Sequence, residues 1–310
     1  MPYYLGIDGG GTKTTCALGD ETHLLATATT GPSNIVRVGE VQTRESLQQG
    51  VRQVCAAACI PPAQVSRTCI GGSGAARPEL AENVRQYLAE ILATPIDVVG
   101  DMQIALEAAF DTGPGVLVIA GTGSIAYGRD RRGNTLRAGG WGFAIGDEGS
   151  AHWIGRAAVS AVLRAADLTD GSAESRSDTS LSAAILKIWD VTSLADLARA
   201  ANSIPPPDFA ALFPAVAASK DDLAMQVLTS AGRELANVAA VVSRRLFAED
   251  HKTSVHVAMT GGVFRHAALV RQVFYNELRA LDPRVEVLRE VVEPVEGALR
   301  MARRAAANAV

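Results

Sequence analysis

Two glycine-studded turns, far apart in the chain, constrain its fold more than any other feature. The first follows the β-prone run Tyr3-Tyr4-Leu5-Gly6-Ile7, which stops at Asp8 and meets Gly9, Gly10 and Gly11. Thr12-Lys13-Thr14-Thr15-Cys16-Ala17-Leu18 then resumes a strand-like pattern, which makes a hairpin turning on glycine. The arrangement returns 112 residues later as Val116-Leu117-Val118-Ile119, Gly121-Thr122-Gly123-Ser124 and Ile125-Ala126-Tyr127-Gly128. Gly9 aligns with Gly121, Gly11 with Gly123 and Thr12 with Ser124. A single repeat of this length predicts two similar domains, because solenoid arrays use shorter units in at least three copies. The two hairpins are then expected to share one ligand.

Between the hairpins helices and strands alternate. Glu40 to Ala58, Glu79 to Leu92 and Met102 to Phe110 carry apolar residues at helical spacing, while Val65 to Ile70 and Ile96 to Val99 read as strands. Such alternation needs crossover connections and predicts a largely parallel sheet. Past residue 150 the chain turns mostly helical, with a loop near Thr169 to Ser180 and a long amphipathic helix over Asp222 to Phe247. Val255 to Met259 and Val285 to Leu288 are strands, Gly261-Gly262 a turn and His266 to Leu281 a helix. Pro294 opens a last helix to about Asn308.

Composition narrows the function classes. The 310 residues are 48% hydrophobic and carry a net charge of −4, with no basic block, so the electrostatic footprint of a nucleic-acid binder is missing. The longest charge-free run, Thr112 to Gly128, is broken by five glycines and a proline, so no membrane span is expected. Cys16, Cys55, Cys59 and Cys69 form no CxxC or Cys/His cluster, which fits reduced thiols in the cytoplasm. Cys55 and Cys59, one helical turn apart, read as small core residues.

Glycine turns placed just after apolar strands suit phosphate, because successive backbone N–H groups can point at an anion and approach it closely. Thr12, Thr122 and Ser124 add hydroxyl donors. Gly6 to Thr14 nearly matches a P-loop, but Thr12 stands where its lysine belongs and a strand follows instead of a helix. Gly121 to Ala126 satisfies GxGxx[GA], yet it too opens no helix. Asp8, at the carboxyl end of the first strand, is a candidate Mg²⁺ group acting through water. Asp101, between a strand and a helix, is read both as a helix N-cap and as a base that accepts a hydroxyl proton during phosphoryl transfer. The segment from Gly139 to Ser150 holds five glycines, Trp141 and the pair Asp147-Glu148, the flat apolar surface and acceptors a polyhydroxylated ring requires. Asp147 or Ser150 also reads as the cap of a helix near Ala151, and His152 as a surface or packed residue on it.

Leu5 to Lys13, Ala120 to Ser124, Gly139-Gly140-Trp141-Gly142 with Gly146 to Ser150, Thr260-Gly261-Gly262-Val263 and the final Glu296-Gly297-Ala298-Leu299 together resemble the N-acetylglucosamine kinases. These belong to the BadF/BadG/BcrA/BcrD ATPase group of the actin/hexokinase/Hsp70 superfamily. The resemblance implies an α/β chain of two ribonuclease-H-like (actin-like ATPase) domains, with mixed sheets flanked by helices and the second domain helix-enriched. The domains expected are 1–114 plus the C-terminal helix 290–310, and 115–289 with a helical insertion. It implies ATP and Mg²⁺, with Asp8 as the metal-associated acid. Gly10, Gly11, Thr12 and Lys13 are the first phosphate hairpin, Thr122, Gly123 and Ser124 the second, and Gly261 and Gly262 lie against the adenosine. By the same resemblance Asp101 is expected to be the catalytic base. Asn34, Ser73, Gly74, Gly140, Trp141, Gly142 and Asp147 line the sugar pocket.

One departure concerns the base motif, which in the family often has Asn or Thr before the aspartate and Ala after it. Here Gly100 and Met102 flank Asp101. The intact glycine-tryptophan segments favour an N-acetylhexosamine, phosphorylated at its 6-hydroxyl with closure excluding water. Glucosamine and N-acetylmuramic acid are the alternatives within the family. A more distant one is the iron–sulfur activator of 2-hydroxyacyl-CoA dehydratases, but its cysteines lie in the second half of the chain whereas all four here precede residue 70. A DNA-binding regulator lacks room for a helix-turn-helix before the first hairpin. A small-molecule amino sugar and a homodimer are the expected partners, with neither nucleic acid nor membrane.

Overall fold

A computed structural model describes residues 1–72, 77–168, 180–249 and 253–307. The chain divides into two compact units, Met1–Pro114 with Val292–Val310, and Gly115–Val291.

The first unit opens with three antiparallel strands, β1 (Tyr3–Gly9), β2 (Thr14–Gly19) and β3 (Leu24–Thr30). Helix α1 (Ile35–Ala57) follows, interrupted at Gly39, whose φ of 77° lies outside the helical region. Strand β4 (Val65–Gly72), helix α2 (Pro78–Ala89), strand β5 (Ile96–Gly100) and helix α3 (Asp101–Phe110) complete the sheet in the order β3-β2-β1-β4-β5. β1, β4 and β5 run parallel. The sheet is therefore mixed, not largely parallel as strand–helix alternation alone predicts. β3 escapes the sequence reading because its Leu-Ala-Thr run is mostly exposed and has no strong apolar alternation.

The second unit repeats this order. β6 (Gly115–Ala120), β7 (Ser124–Arg129) and β8 (Thr135–Gly139) are antiparallel. Helices α4 (Ala151–Asp167), α5 (Ser180–Ile188), α6 (Leu194–Ala201), α7 (Phe213–Ala218) and α8 (Asp222–Leu246) come next, and they enrich this unit in helix. Strand β9 (Val255–Thr260), the short α9 (Gly262–His266), α10 (Ala268–Leu281) and β10 (Val285–Val291) close the sheet as β10-β9-β6-β7-β8. The 112-residue sequence repeat is thus a repeat of topology, with β1 and β6 central in their sheets. Thr169 to Thr179 lie outside the described residues.

The last helix, α11 (Pro294–Ala307), belongs to the first unit. Alternation along β1 decides its place. Leu5 and Ile7 face α1 and α2 together with Leu47, Val51, Val54 and Leu88, all buried. Tyr4 faces the other way, against Ile104, Val295, Ala298 and Leu299 of α3 and α11. On that side the helices come close because glycines leave no side chain between. A methyl group on Gly6 would meet the backbone of Leu299, one on Gly71 the side chain of Ile104, and one on Gly297 the carbonyl of Ile104. Arg304 of α11 also pairs with the buried Glu107 of α3. Cys59 departs from the core expectation, standing exposed in the turn after α1 with φ of 57°, while Cys16, Cys55 and Cys69 are buried. Among the described residues no helix is long and apolar enough to cross a membrane.

Gly297→Ala forces α11 off α3, since its new methyl meets backbone and cannot rotate away. The expected loss is about 2–3 kcal/mol, read as a lower denaturant midpoint for the first unit. An unchanged midpoint would show that the two helices do not need this contact distance.

Candidate functional site

Three parallel strands of the first unit end level on a row of glycines. Gly9 of β1 pairs with Gly72 of β4, and Gly72 pairs with Gly100 of β5. Strand spacing places the ends of β1 and β5 about 10 Å apart. Asp8 precedes this row and Asp101 follows it. Crevices beyond the carboxyl ends of parallel strands are where open α/β sheets bind ligands.

Asp101 is the first residue of α3 and not its N-cap. Gly100 holds the cap position, and its N–H donates to Gln103 Oε1 at 3.1 Å, while the Asp101 carboxylate accepts from the Met102 N–H at 2.9 Å. Both Asp8 and Asp101 are half-buried. Burial pushes the Asp8 carboxyl up to about 7, and repulsion from Asp101 and Glu293 adds to this while Lys13 opposes it. Glu293 stands just before α11, too far along the chain for any sequence spacing to mark it. Among the described residues no cluster of three or more His, Cys, Asp or Glu side chains is arranged to hold a metal ion. The donor chemistry still fits Mg²⁺, which usually keeps several waters and takes only one or two protein carboxylates. The mutual repulsion of Asp8, Asp101 and Glu293 is what such a cation relieves.

The first hairpin is closed internally. The Gly10 N–H donates to the Lys13 carbonyl at 3.0 Å, and the Gly10 carbonyl accepts from Ser33 and Asn34 N–H at 3.1 and 3.2 Å. The Gly10 hydrogen is therefore spent inside the turn. Thr14 is buried and donates to Ser33 Oγ at 2.7 Å or the Gly31 carbonyl at 2.8 Å, so the loop before α1 is tied to the hairpin. Thr12 and Lys13 are exposed at the tip. Asn34 caps α1, accepting from the Val36 N–H at 3.1 Å. Ser73 and Gly74 lie outside the described residues.

The second hairpin is closed by the Gly121 N–H on the Gly123 carbonyl at 2.9 Å. Its outer carbonyls face the start of α4, Gly121 accepting from Ala151 at 2.8 Å and Thr122 from His152 at 3.3 Å. Pairing shows that Ser124, opposite Ala120, corresponds to Thr14, opposite Gly9, and not to Thr12. The offset of two residues arises because Gly9 corresponds to Ala120 and not to Gly121, and because the second turn is one residue shorter. Ser124, like Thr14, is buried, and its hydroxyl donates to the Glu148 carbonyl at 2.7 Å. The extra donor expected of Ser124 is thus committed within the fold. Ser150, and not Asp147, caps α4, accepting from the Trp153 N–H at 3.1 Å.

Asp147 instead adopts φ of 58° and turns its carboxylate toward the hairpin. A methyl on Gly123 would lie 2.7 Å from its Oδ2. Burial raises its pKa, against the opposing backbone N–H groups of Gly142 and Ser124. Trp141 is exposed beneath the Arg137 guanidinium, 5.0 Å from the ring centre, and Phe143 rests on the His152 ring at 5.0 Å. Gly261, with φ of 103°, fits against the Ala120 carbonyl where a side chain has no room. Gly262 starts α9, so the expected plain turn is a turn that opens a helix. Around Gly121 and Gly262 an added methyl would meet nothing within 4 Å, leaving backbone open to a ligand.

These two units of identical strand order, with glycine turns after each central strand, define an actin-like ATPase fold. The chain belongs to the BadF/BadG/BcrA/BcrD ATPase family, whose model matches residues 5–302. An N-acetylmuramic acid/N-acetylglucosamine kinase from Clostridium acetobutylicum is 31% identical, covering 98% of this chain and 99% of its own. An N-acetyl-D-glucosamine kinase from Dictyostelium discoideum is 28% identical over 96% and 97%. A solved structure from Chromobacterium violaceum, provisionally named N-acetylglucosamine kinase, superimposes with a TM-score of 0.73 at 24% identity over 97% and 99%, a likeness of fold.

Asp8→Asn tests the electrostatics directly. A carboxyl whose folded pKa lies near 7, against an ordinary 3.8, contributes stability that is complete below 3.8 and is lost as pH rises toward 7. The asparagine variant lacks that loss, so the gap in thermal midpoint between variant and wild type should open across this window in metal-free buffer. Parallel curves from pH 4 to 8 would mean that the carboxyl is not raised.

Proposed function

We propose that the protein transfers the γ-phosphate of ATP to the 6-hydroxyl of N-acetyl-D-glucosamine. The observation that carries this reading is the pair Asp8 and Asp101 at the glycine-lined strand ends, one carboxylate suited to a hydrated cation and one to a hydroxyl proton. Full-length similarity to two curated amino-sugar kinases supports sugar-kinase activity. The family name supports ATP.

In this reading Asp8 holds Mg²⁺ through water, and the cation supplies charge neutralisation for the phosphates. Gly11, Thr12 and Lys13 of the first hairpin and Thr122 and Gly123 of the second meet the phosphates, while Gly10 and Ser124 shape the turns. Gly261 and Gly262 lie against the adenosine. Asp101 accepts the proton of the sugar hydroxyl as its oxygen attacks the γ-phosphorus in line with the departing ADP oxygen. Asn34, with its amide hydrogens turned from the cap, joins Gly140, Trp141, Gly142 and Asp147 in holding the ring, and Ser73 and Gly74 complete the pocket. A homodimer in the cytoplasm is the proposed working form. N-acetylmuramic acid is a second substrate to test, because the 31% identical relative is named for both sugars.

A coupled ADP-release assay over N-acetylglucosamine, N-acetylmuramic acid, glucosamine and N-acetylmannosamine checks the substrate class, and sugar-independent hydrolysis would overturn it. Asp101→Asn should lower kcat by about 10²–10⁴ with sugar affinity nearly kept. Near wild-type kcat would remove Asp101 from the role of base. Asp147→Ala should raise the KM for sugar about tenfold or more, and an unchanged KM counts against its contact with the ring.

A further inference from the structure

Arg37 lies outside every motif that the family resemblance rests on, yet it lies beside the first hairpin. A Cβ on Gly11 would stand 3.5 Å from its Nη1 and 3.7 Å from its Cδ. The side chain is exposed and stands in the first turn of α1. That turn is tied to the hairpin by hydrogen bonds. Gly10 accepts from the N–H groups of Ser33 and Asn34, Thr14 bonds the loop through Ser33, and Asn34 caps the turn. Gly39 then breaks the helix two residues after Arg37. The guanidinium is thus carried on the same rigid joint as the glycine turn.

The chemistry at this end of the sheet calls for a cation. A polyphosphate arriving beyond Gly9 meets the carboxyl groups of Asp8, Asp101 and Glu293, and the hairpin has already spent the Gly10 N–H. Lys13 brings a point charge at the tip. A planar guanidinium adds the forked donor geometry that phosphate oxygens match. We propose that Arg37 binds the terminal phosphates of the nucleotide at the first hairpin. The inference rests on the reading that this hairpin takes ATP, and it adds a phosphate ligand that the glycine motif does not supply.

Binding measured by calorimetry on the whole chain separates this from catalysis. Arg37→Ala should weaken ATP and inorganic tripolyphosphate by about 10- to 100-fold while adenosine binds as before. Arg37→Lys should recover part of the loss, since it restores charge without the fork. Thermal midpoints without ligand, measured for each variant, separate any loss of fold from loss of phosphate binding. Should Arg37→Ala fold poorly, Arg37→Gln carries the same comparison. ATP affinity within twofold of wild type, or an equal loss for adenosine, would overturn the proposal. If the wild type phosphorylates an amino sugar but Arg37→Ala keeps its ATP affinity, this inference alone fails. If the wild type binds ATP but phosphorylates no amino sugar, the proposed function fails and the binding comparison still decides Arg37.

Discussion

The arrangement in the first unit depends on how closely α3 can approach the sheet. Ile104 is wholly buried, with Gly71 of β4 on one side and Gly297 of α11 at its carbonyl. An added side chain at Gly71 would run into the Ile104 side chain and one at Gly297 into the backbone of α3, so these two glycines set how closely α3 packs on the sheet and on α11. Asp101 is three residues before Ile104 at the start of the same helix. Its position relative to Asp8 therefore follows from packing on the helix's inner face, and not from any bond that the carboxylates make to each other. The buried Glu107 and its partner Arg304 fix the other end of α3 to α11. A buried carboxylate with a bidentate partner costs desolvation, but removing either group leaves the other uncompensated, so the pair favours a single seating of the helix.

The second unit solves the same problem with polar contacts. Its hairpin is seated by the first N–H groups of α4 donating to Gly121 and Thr122, by Ser124 on the Glu148 carbonyl, and by Asp147 over Gly123. A helix N-terminus whose amides are satisfied by hairpin carbonyls leaves the opposite edge of the turn for a ligand. The two hairpins have diverged in length and anchoring while keeping strand order, as expected where the fold constrains topology and the site constrains only open backbone.

Much of this was legible in the sequence, for identifiable reasons. Glycine after an apolar strand marks both hairpins because few other residues turn a chain so tightly, and the 112-residue spacing carries the repeat into topology. Helix starts at Pro294 and Asp222 followed from proline and apolar periodicity. The losses have equally physical causes. β3 is an outer strand with exposed, weakly apolar residues. The Thr12–Ser124 alignment failed because neither the strand ends nor the turn length is visible until strands pair. Cys59 left the core because the chain turns at φ of 57° one residue after the helix cap. Glu293 and Arg37 reach the first hairpin's surroundings through tertiary placement that no local pattern encodes.

Glycine has two separate duties in these motifs, and the structure tells them apart. Gly6, Gly71, Gly123 and Gly297 are glycine because a neighbour already fills the place of a side chain. Gly100, Gly121 and Gly262 have nothing within 4 Å of that place, although each sits at a strand end or turn facing outward. Packing gives no reason for the second group to lack a side chain. The ligand approach proposed above supplies one, and these glycines stand at the end of β5 and just past the ends of β6 and β9. In the proposed reading the open glycines are ligand-facing backbone, while Gly123 and Gly261 carry both duties at once, since a neighbour already fills the place of their side chains.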